Sequence, residues 1–115
     1  MPTPKNTFQA GRVALIAAGH AVHDTYIAFL PTLLPVLIQT LSISRASAGL
    51  FSVFTQLPSL LQPFIGYVAD RVSLRWIVIL SPLVTCTLMS LVGVAPTYLL
   101  IALLLLGVGV SSAAL

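Results

Sequence analysis

The sequence predicts an all-α integral membrane protein with about four transmembrane helices. Of its 115 residues, 58% are hydrophobic and only 6% are charged, whereas soluble domains carry roughly 25% charged residues. The apolar stretches between the few charges are long enough to cross a bilayer, which takes about 20 residues. We therefore exclude a water-soluble fold, and the lipid bilayer is the first partner that we expect.

Hydropathy along the chain places the four spans near residues 13–38, 46–69, 76–93 and 98–115. At 1.5 Å per residue the first two spans exceed the roughly 30 Å hydrocarbon layer, so we expect them to tilt, kink or protrude. Prolines inside the spans remove backbone donors and favour kinked helices. These prolines are Pro31, Pro35, Pro58, Pro63 and Pro82.

The cations predict the orientation of the chain. Lys5 and Arg12 precede the first span, Arg45 lies between the first two, and Arg71 and Arg75 follow the second. The positive-inside rule then places residues 1–12 in the cytoplasm of a multi-pass protein of the cell (inner) membrane. Because the cations flank spans and do not cluster with exposed aromatic residues, we expect no nucleic-acid partner.

The ionisable residues that could bind or transfer protons lie in the middle of the first span. His20, His23 and Asp24 would sit near the bilayer midplane, where a charge costs about 2.5–3.5 kcal/mol and normally marks an ion or substrate path. Residues three and four apart share a helix face, so His20 lies over both His23 and Asp24. Our hypothesis is that Asp24 accepts a proton with His20 as its partner.

Two other interpretations of this cluster stay open. It could hydrogen-bond a neighbouring helix and only stabilise packing, or it could bind a metal, although a fourth ligand in a convincing position is missing. In the second span, Ser52 and Gln56 give a modest polar stripe that either lines the same pathway or forms interhelical hydrogen bonds.

No enzyme is expected, because the residues present supply no nucleophile with its base, no metal set and no phosphate loop. We expect no cofactor either. The single cysteine, Cys86, excludes an intrachain disulfide. The apolar run continues to Leu115 without the polar or basic residues that usually mark the end of a membrane span. We therefore interpret the chain as truncated within a larger protein.

The stretch from Gly66 to Trp76 resembles the cytoplasmic loop between helices two and three of the major facilitator superfamily. Ser73 and Leu74 depart from that pattern, standing where a glycine and a basic residue are usual. The resemblance implies that the matching residues form a gate that steadies one state of the transporter. They are Gly66, Asp70, Arg71 and Arg75.

The segment from His20 to Asp24, followed by Leu33-Leu34-Pro35, is similar to the first helix of facilitator exporters of the fosmidomycin-resistance type. This resemblance implies a proton-coupled exporter of small molecules, of the drug efflux type, that works by alternating access. The chain would form part of the N-terminal six-helix bundle, and its partners would be the small-molecule substrate, protons and the missing C-terminal helices. In the fourth span, Leu103 stands where many proton-driven members carry an arginine before Gly107-Val108-Gly109.

Two alternatives remain for the function. A small four-helix multidrug/proton antiporter that acts as a dimer would fit the chain length and the single acidic residue in the first span, Asp24. A non-transporting membrane assembly subunit would not need buried ionisable groups, which cost insertion energy.

Overall fold

The computed structural model of the chain describes residues 9–115, with the side chain of Leu74 outside the description. Within this range the chain forms five α-helices and one 3-10 segment, and it contains no strand. The elements are α1 (Ala10–Leu41), α2 (Arg45–Gln56), the 3-10 segment (Leu57–Leu61), α3 (Gln62–Ala69), α4 (Leu74–Val92) and α5 (Tyr98–Ala113). Residues 1–8 of the predicted cytoplasmic N-terminus, which include Lys5, lie outside the described residues.

The predicted all-α fold is confirmed within residues 9–115. The first helix begins at Ala10, three residues before the predicted start, so the end of the predicted N-terminal segment is helical. Among residues 9–115, only α1 and α4 are both long and apolar enough to cross a membrane, whereas α5 is shorter. The number of four crossings therefore stays a prediction.

The second predicted span is interrupted, and its prolines explain where. Pro58 lies at the start of the 3-10 segment and Pro63 at the start of α3. Proline is accepted in a first helical turn, where its missing N–H would have no partner, but it breaks the ladder of the preceding helix. The α-helix is interrupted in this span, while α1 remains helical through Pro31 and Pro35 and α4 through Pro82.

A three-residue connection turns the chain from α1 into α2. Ser42 adopts a left-handed conformation with φ of 52°, and its backbone N–H donates to the Ile38 carbonyl to close the last turn of α1. Ser44 then caps α2, because its hydroxyl oxygen accepts from the Ser47 N–H at 3.1 Å. These local hydrogen bonds end one helix and start the next, and each satisfies a backbone group that has no partner within its own helix.

The buried apolar core gathers at one end of the helix bundle. It draws on the second half of α1, the middle of α2, the end of α4 and the length of α5. Its members are Leu30, Leu37, Phe51, Met89, Val92, Ile101, Leu105 and Val108. By contrast, residues 10–18 of α1 are all exposed. The end of the bundle that carries the start of α1 is therefore open within the described residues.

Helix α5 holds the bundle together, because it packs against α2, the 3-10 segment and α4. At Gly109 the approach is so close that an added Cβ atom would lie 2.8 Å from Cγ of Pro58 and closer still to the Thr55 carbonyl oxygen. Small residues permit such approaches in membrane bundles. The glycine thus lets α5 cross the chain where the second span is broken.

A buried pair of hydroxyl groups joins α4 to α5. The oxygens of Thr85 and Ser111 are 2.7 Å apart, and the Ser111 hydroxyl also donates to the Val108 carbonyl. Since Ser111 has a single proton to donate, the Thr85 hydroxyl is the donor between the two side chains. Both polar groups are therefore satisfied inside an otherwise apolar interface.

Candidate functional site

Helix α1 brings together the three ionisable residues that the sequence singled out. Nδ1 of His23 lies 3.3 Å from Oδ1 of Asp24, and Nε2 of His20 lies 3.7 Å from Oδ2 of the same carboxylate. Asp24 is the fifteenth of the 32 residues of α1 and so lies close to the midpoint of the helix. Each oxygen of the carboxylate thus faces a different imidazole ring.

The two histidines differ sharply in exposure. The side chain of His23 is 3% exposed, whereas those of His20 and Asp24 are 56% and 63% exposed. His23 shares a face with the buried residues Leu30 and Leu37, because a spacing of seven residues makes about two helical turns. The cluster therefore straddles the boundary between the packed face of α1 and its open face.

An apolar hollow of about 370 Å³ lies beside His20, between the first halves of α1 and α4. Val78 and Pro82 of α4 line it. Because proline has no N–H, the Val78 carbonyl lacks its usual donor four residues later in the helix. The His20 ring is the one ionisable side chain among the residues that line this hollow.

The structure does not bring Gln56 into this group. Gln56 is the last residue of α2, is exposed, and lines neither the hollow beside His20 nor the shallower one that His20 shares with Asp24. Its role in a shared pathway stays a prediction.

The loop residues that match the facilitator pattern lie where α3 ends and α4 begins. Gly66 is within α3, and the Asp70 N–H donates to its carbonyl at 3.0 Å, which closes the helix. Asp70, Arg71 and Arg75 are all exposed. Within residues 9–115 none of these three charges forms an ion pair shorter than 4.0 Å.

One neighbour in this loop was not anticipated from the sequence. The guanidinium carbon of Arg71 lies 4.3 Å from the centre of the Tyr67 ring, and the guanidinium also donates to the Tyr67 hydroxyl. The signal was present, because the two residues are four apart at a helix end. Tyr67 therefore holds the Arg71 side chain against the end of α3.

Comparison with known families settles the class of protein. The family model described as Major Facilitator Superfamily matches residues 16–115. The chain belongs to the major facilitator superfamily. The matched range includes the cluster on α1, the loop between α3 and α4, and all of α5.

Members of the major facilitator superfamily are membrane transporters and not enzymes, so this facilitator chain comes from a multi-pass membrane transporter. Membership fits the expectation that it carries no catalytic site. Neither curated proteins nor solved structures gave a match to the chain. The family model thus assigns the chain to the superfamily but does not assign an exporter type.

Proposed function

We propose that this facilitator chain is part of a secondary active transporter that couples export of small molecules, of the drug efflux type, to proton movement. One observation carries the proposal: the Asp24 carboxylate lies at the middle of α1 with two imidazole rings within 4 Å. Such residues exchange protons readily, and alternating access in this class of transporter moves substrate past a site near the membrane midplane.

Energetics support a transport role for the cluster. A carboxylate at the bilayer centre costs about 2.5–3.5 kcal/mol, a cost that is reduced when the group faces an aqueous path. Asp24 is 63% exposed within the described residues, so the described helices do not enclose it, and we infer that water, substrate or further helices of the transporter surround it. An acidic group that alternates between protonated and ionised forms in such a place can couple proton movement to the transport cycle.

The residues of the loop between α3 and α4 support the proposal that this loop is a gate. Its matching residues follow the facilitator pattern, and the exposed charges of Asp70, Arg71 and Arg75 have no ion-pair partners within residues 9–115. We infer that they contact the other half of the transporter and release it during the switch between states. Arginine suits this task because it can grip a carboxylate through two parallel hydrogen bonds.

The exposed start of α1 supports completion by further helices. Residues 10–18 are apolar for the most part and are exposed within the described chain, so packing against additional helices of the same transporter would cover them. The distribution of arginines supports a cytoplasmic N-terminus in the inner membrane. Export is supported by the likeness of α1 to fosmidomycin-resistance exporters, and the family assignment favours the facilitator over the small four-helix antiporter.

The test compares efflux by the full-length transporter and by its Asp24→Asn variant in cells. Ethidium and fosmidomycin serve as probes, and efflux is measured with and without a proton gradient. We expect the wild type to export at least one probe only when the proton gradient is present. We expect Asp24→Asn to lose this gradient-driven efflux although its protein level in the membrane equals that of the wild type. Thr25→Val is the matched control, because it removes a neighbouring polar group whose hydroxyl only bonds the Ala21 carbonyl.

Two results would contradict the proposal. If Asp24→Asn retains full gradient-driven efflux, the carboxylate has no coupling role. If the wild type exports neither probe in a gradient-dependent way, the chain does not belong to a drug exporter of this type.

A further inference from the structure

His23 has an unusual environment that the proton-coupling proposal does not use. Its ring is 97% covered by the fold, and one nitrogen, Nδ1, lies 3.3 Å from Oδ1 of Asp24. The other nitrogen, Nε2, is buried and has no hydrogen-bond partner among residues 9–115. Buried polar atoms in native proteins nearly always have a partner, and ordered water is the usual one where no protein group is available.

The hydrogen-bonding roles of the two ring nitrogens are linked. A neutral imidazole carries one proton, so one nitrogen donates while the other accepts. When Asp24 is ionised it only accepts, so Nδ1 must carry the proton and Nε2 is left as an acceptor. When Asp24 is protonated, its hydroxyl can donate to Nδ1, and Nε2 then carries the proton. A change in the protonation of Asp24 therefore changes whether Nε2, on the buried side of α1, accepts or donates a hydrogen bond.

No other ionisable group competes for the ring within the described chain. On α1 itself only Asp24 bonds His23, and the His20 ring lies 6.0 Å away between ring centres. The helices packed against α1 are α4 and α2, and their ionisable side chains form neither a hydrogen bond nor an ion pair with His23. These side chains are Arg45, Arg75 and Cys86.

We propose that His23 relays protons between a water molecule held at Nε2 on the packed side of α1 and the carboxylate of Asp24. The inference rests on the proposed proton-coupled function. A hydronium ion on the buried side gives its proton to Nε2, which forms an N–H bond and leaves a neutral water. The Nδ1–H bond breaks, and that proton passes to Oδ1 of Asp24. The ring stays neutral with its tautomer exchanged, and the carboxylate becomes a carboxylic acid.

Burial makes His23 better suited to this relay than His20. A ring that is 3% exposed is held in one orientation by its neighbours, whereas a ring that is 56% exposed can turn away from the carboxylate. The distances agree, since His23 is closer to Asp24 than His20 is, at 3.3 Å against 3.7 Å. His20 instead faces the hollow beside α4, where it can exchange protons with water on the open side.

Proton flux in liposomes tests the relay with the full-length transporter. A pH-sensitive dye inside the vesicles reports proton movement driven by an ethidium gradient, and ethidium binding is measured separately. We expect His23→Gln to slow proton flux at least tenfold with ethidium binding within twofold of wild type. His20→Gln should slow the flux less than His23→Gln does, and Thr25→Val should match the wild type.

The outcomes separate this inference from the proposed function. Wild-type flux in His23→Gln together with loss of flux in Asp24→Asn would overturn the relay and leave the coupling role of Asp24 intact. Wild-type flux in Asp24→Asn would overturn both.

A second measurement covers the case in which His23→Gln fails to fold. In the full-length transporter with every histidine but His23 replaced by glutamine, His20→Gln included, ¹⁵N NMR of the one remaining ring reports which nitrogen carries the proton. We expect the proton on Nδ1 when the partner is the Asp24 carboxylate, and on Nε2 in the same protein with Asp24→Asn, whose side-chain amide donates to Nδ1 as the protonated acid would. The same tautomer in both proteins would overturn the relay.

Discussion

Replacing Gly109 by alanine should weaken the bundle more than any other glycine-to-alanine change in the described helices. The new Cβ would lie 2.8 Å from the Pro58 ring and closer still to the Thr55 carbonyl oxygen. Neither group can move without shifting the backbone of the broken second span. Overpacking of this kind costs about 1–3 kcal/mol.

The helix propensity of alanine offsets part of that cost. In a helix interior alanine is more favourable than glycine by about 0.5–1 kcal/mol. We therefore expect Gly109→Ala to lower the free energy of unfolding by about 1–2 kcal/mol. Gly49→Ala is the matched control, because a Cβ added there would meet no atom within 4 Å; it should be neutral or slightly stabilising.

Gly107→Ala completes a graded series. Its Cβ would lie 2.9 Å from Cδ1 of Leu88, which is the flexible end of a side chain and can rotate away. Its cost should therefore fall between those of Gly49→Ala and Gly109→Ala. The assay is reversible unfolding in mixed micelles with increasing dodecyl sulfate, followed by far-UV circular dichroism. Equal stabilities of Gly109→Ala and Gly49→Ala would refute the close crossing of α5 over the second span.

Three further predictions concern hydrogen bonds in the bundle. A double-mutant cycle of Thr85→Val and Ser111→Ala should give a coupling energy of about 0.6 kcal/mol in the same unfolding assay, and no coupling would mean that the two hydroxyls do not meet. Tyr98→Phe loses the bond to the Ser47 carbonyl at 2.9 Å but keeps the stacking on Phe51, so it should cost about 0.5–1.5 kcal/mol, less than Tyr98→Ala. Ser44→Ala removes the cap of α2 and should cost about 1 kcal/mol, whereas Ser44→Asp should retain most of the stability.

Hydropathy and proline positions predicted the helices well because their causes are local. An apolar run of bilayer length is helical in lipid, where every backbone group must be bonded within its own segment. A proline removes one backbone donor wherever it stands, so the break at Pro58 and Pro63 was among the kinks that the residues predicted. That α1 and α4 stay helical through Pro31, Pro35 and Pro82 was not predictable in the same way. The pairing of His20 with Asp24 was predictable too, since it follows from helical spacing.

Other features depend on packing between helices, which spacing does not determine. That His23 faces the packed side while its neighbour Asp24 faces the open side follows from where α2 and α4 approach α1. The crossing at Gly109 likewise depends on the path of the broken second span. The small residues of α5 indicated a bundle, but they did not indicate which element would touch which glycine.

The central claim is that Asp24 lies inside the membrane on an aqueous path, and cysteine labelling tests it directly. Cys86→Ser, with every further cysteine of the full-length transporter also replaced by serine, gives a background in which Asp24→Cys, Arg45→Cys and Leu83→Cys are each exposed to a charged, membrane-impermeant maleimide. We expect position 45, at the start of α2, to react fast, position 24 to react more slowly, and position 83, on the exposed apolar face of α4, not to react. Labelling of position 24 as fast as position 45, or none at all as at position 83, would contradict the placement of Asp24 on such a path.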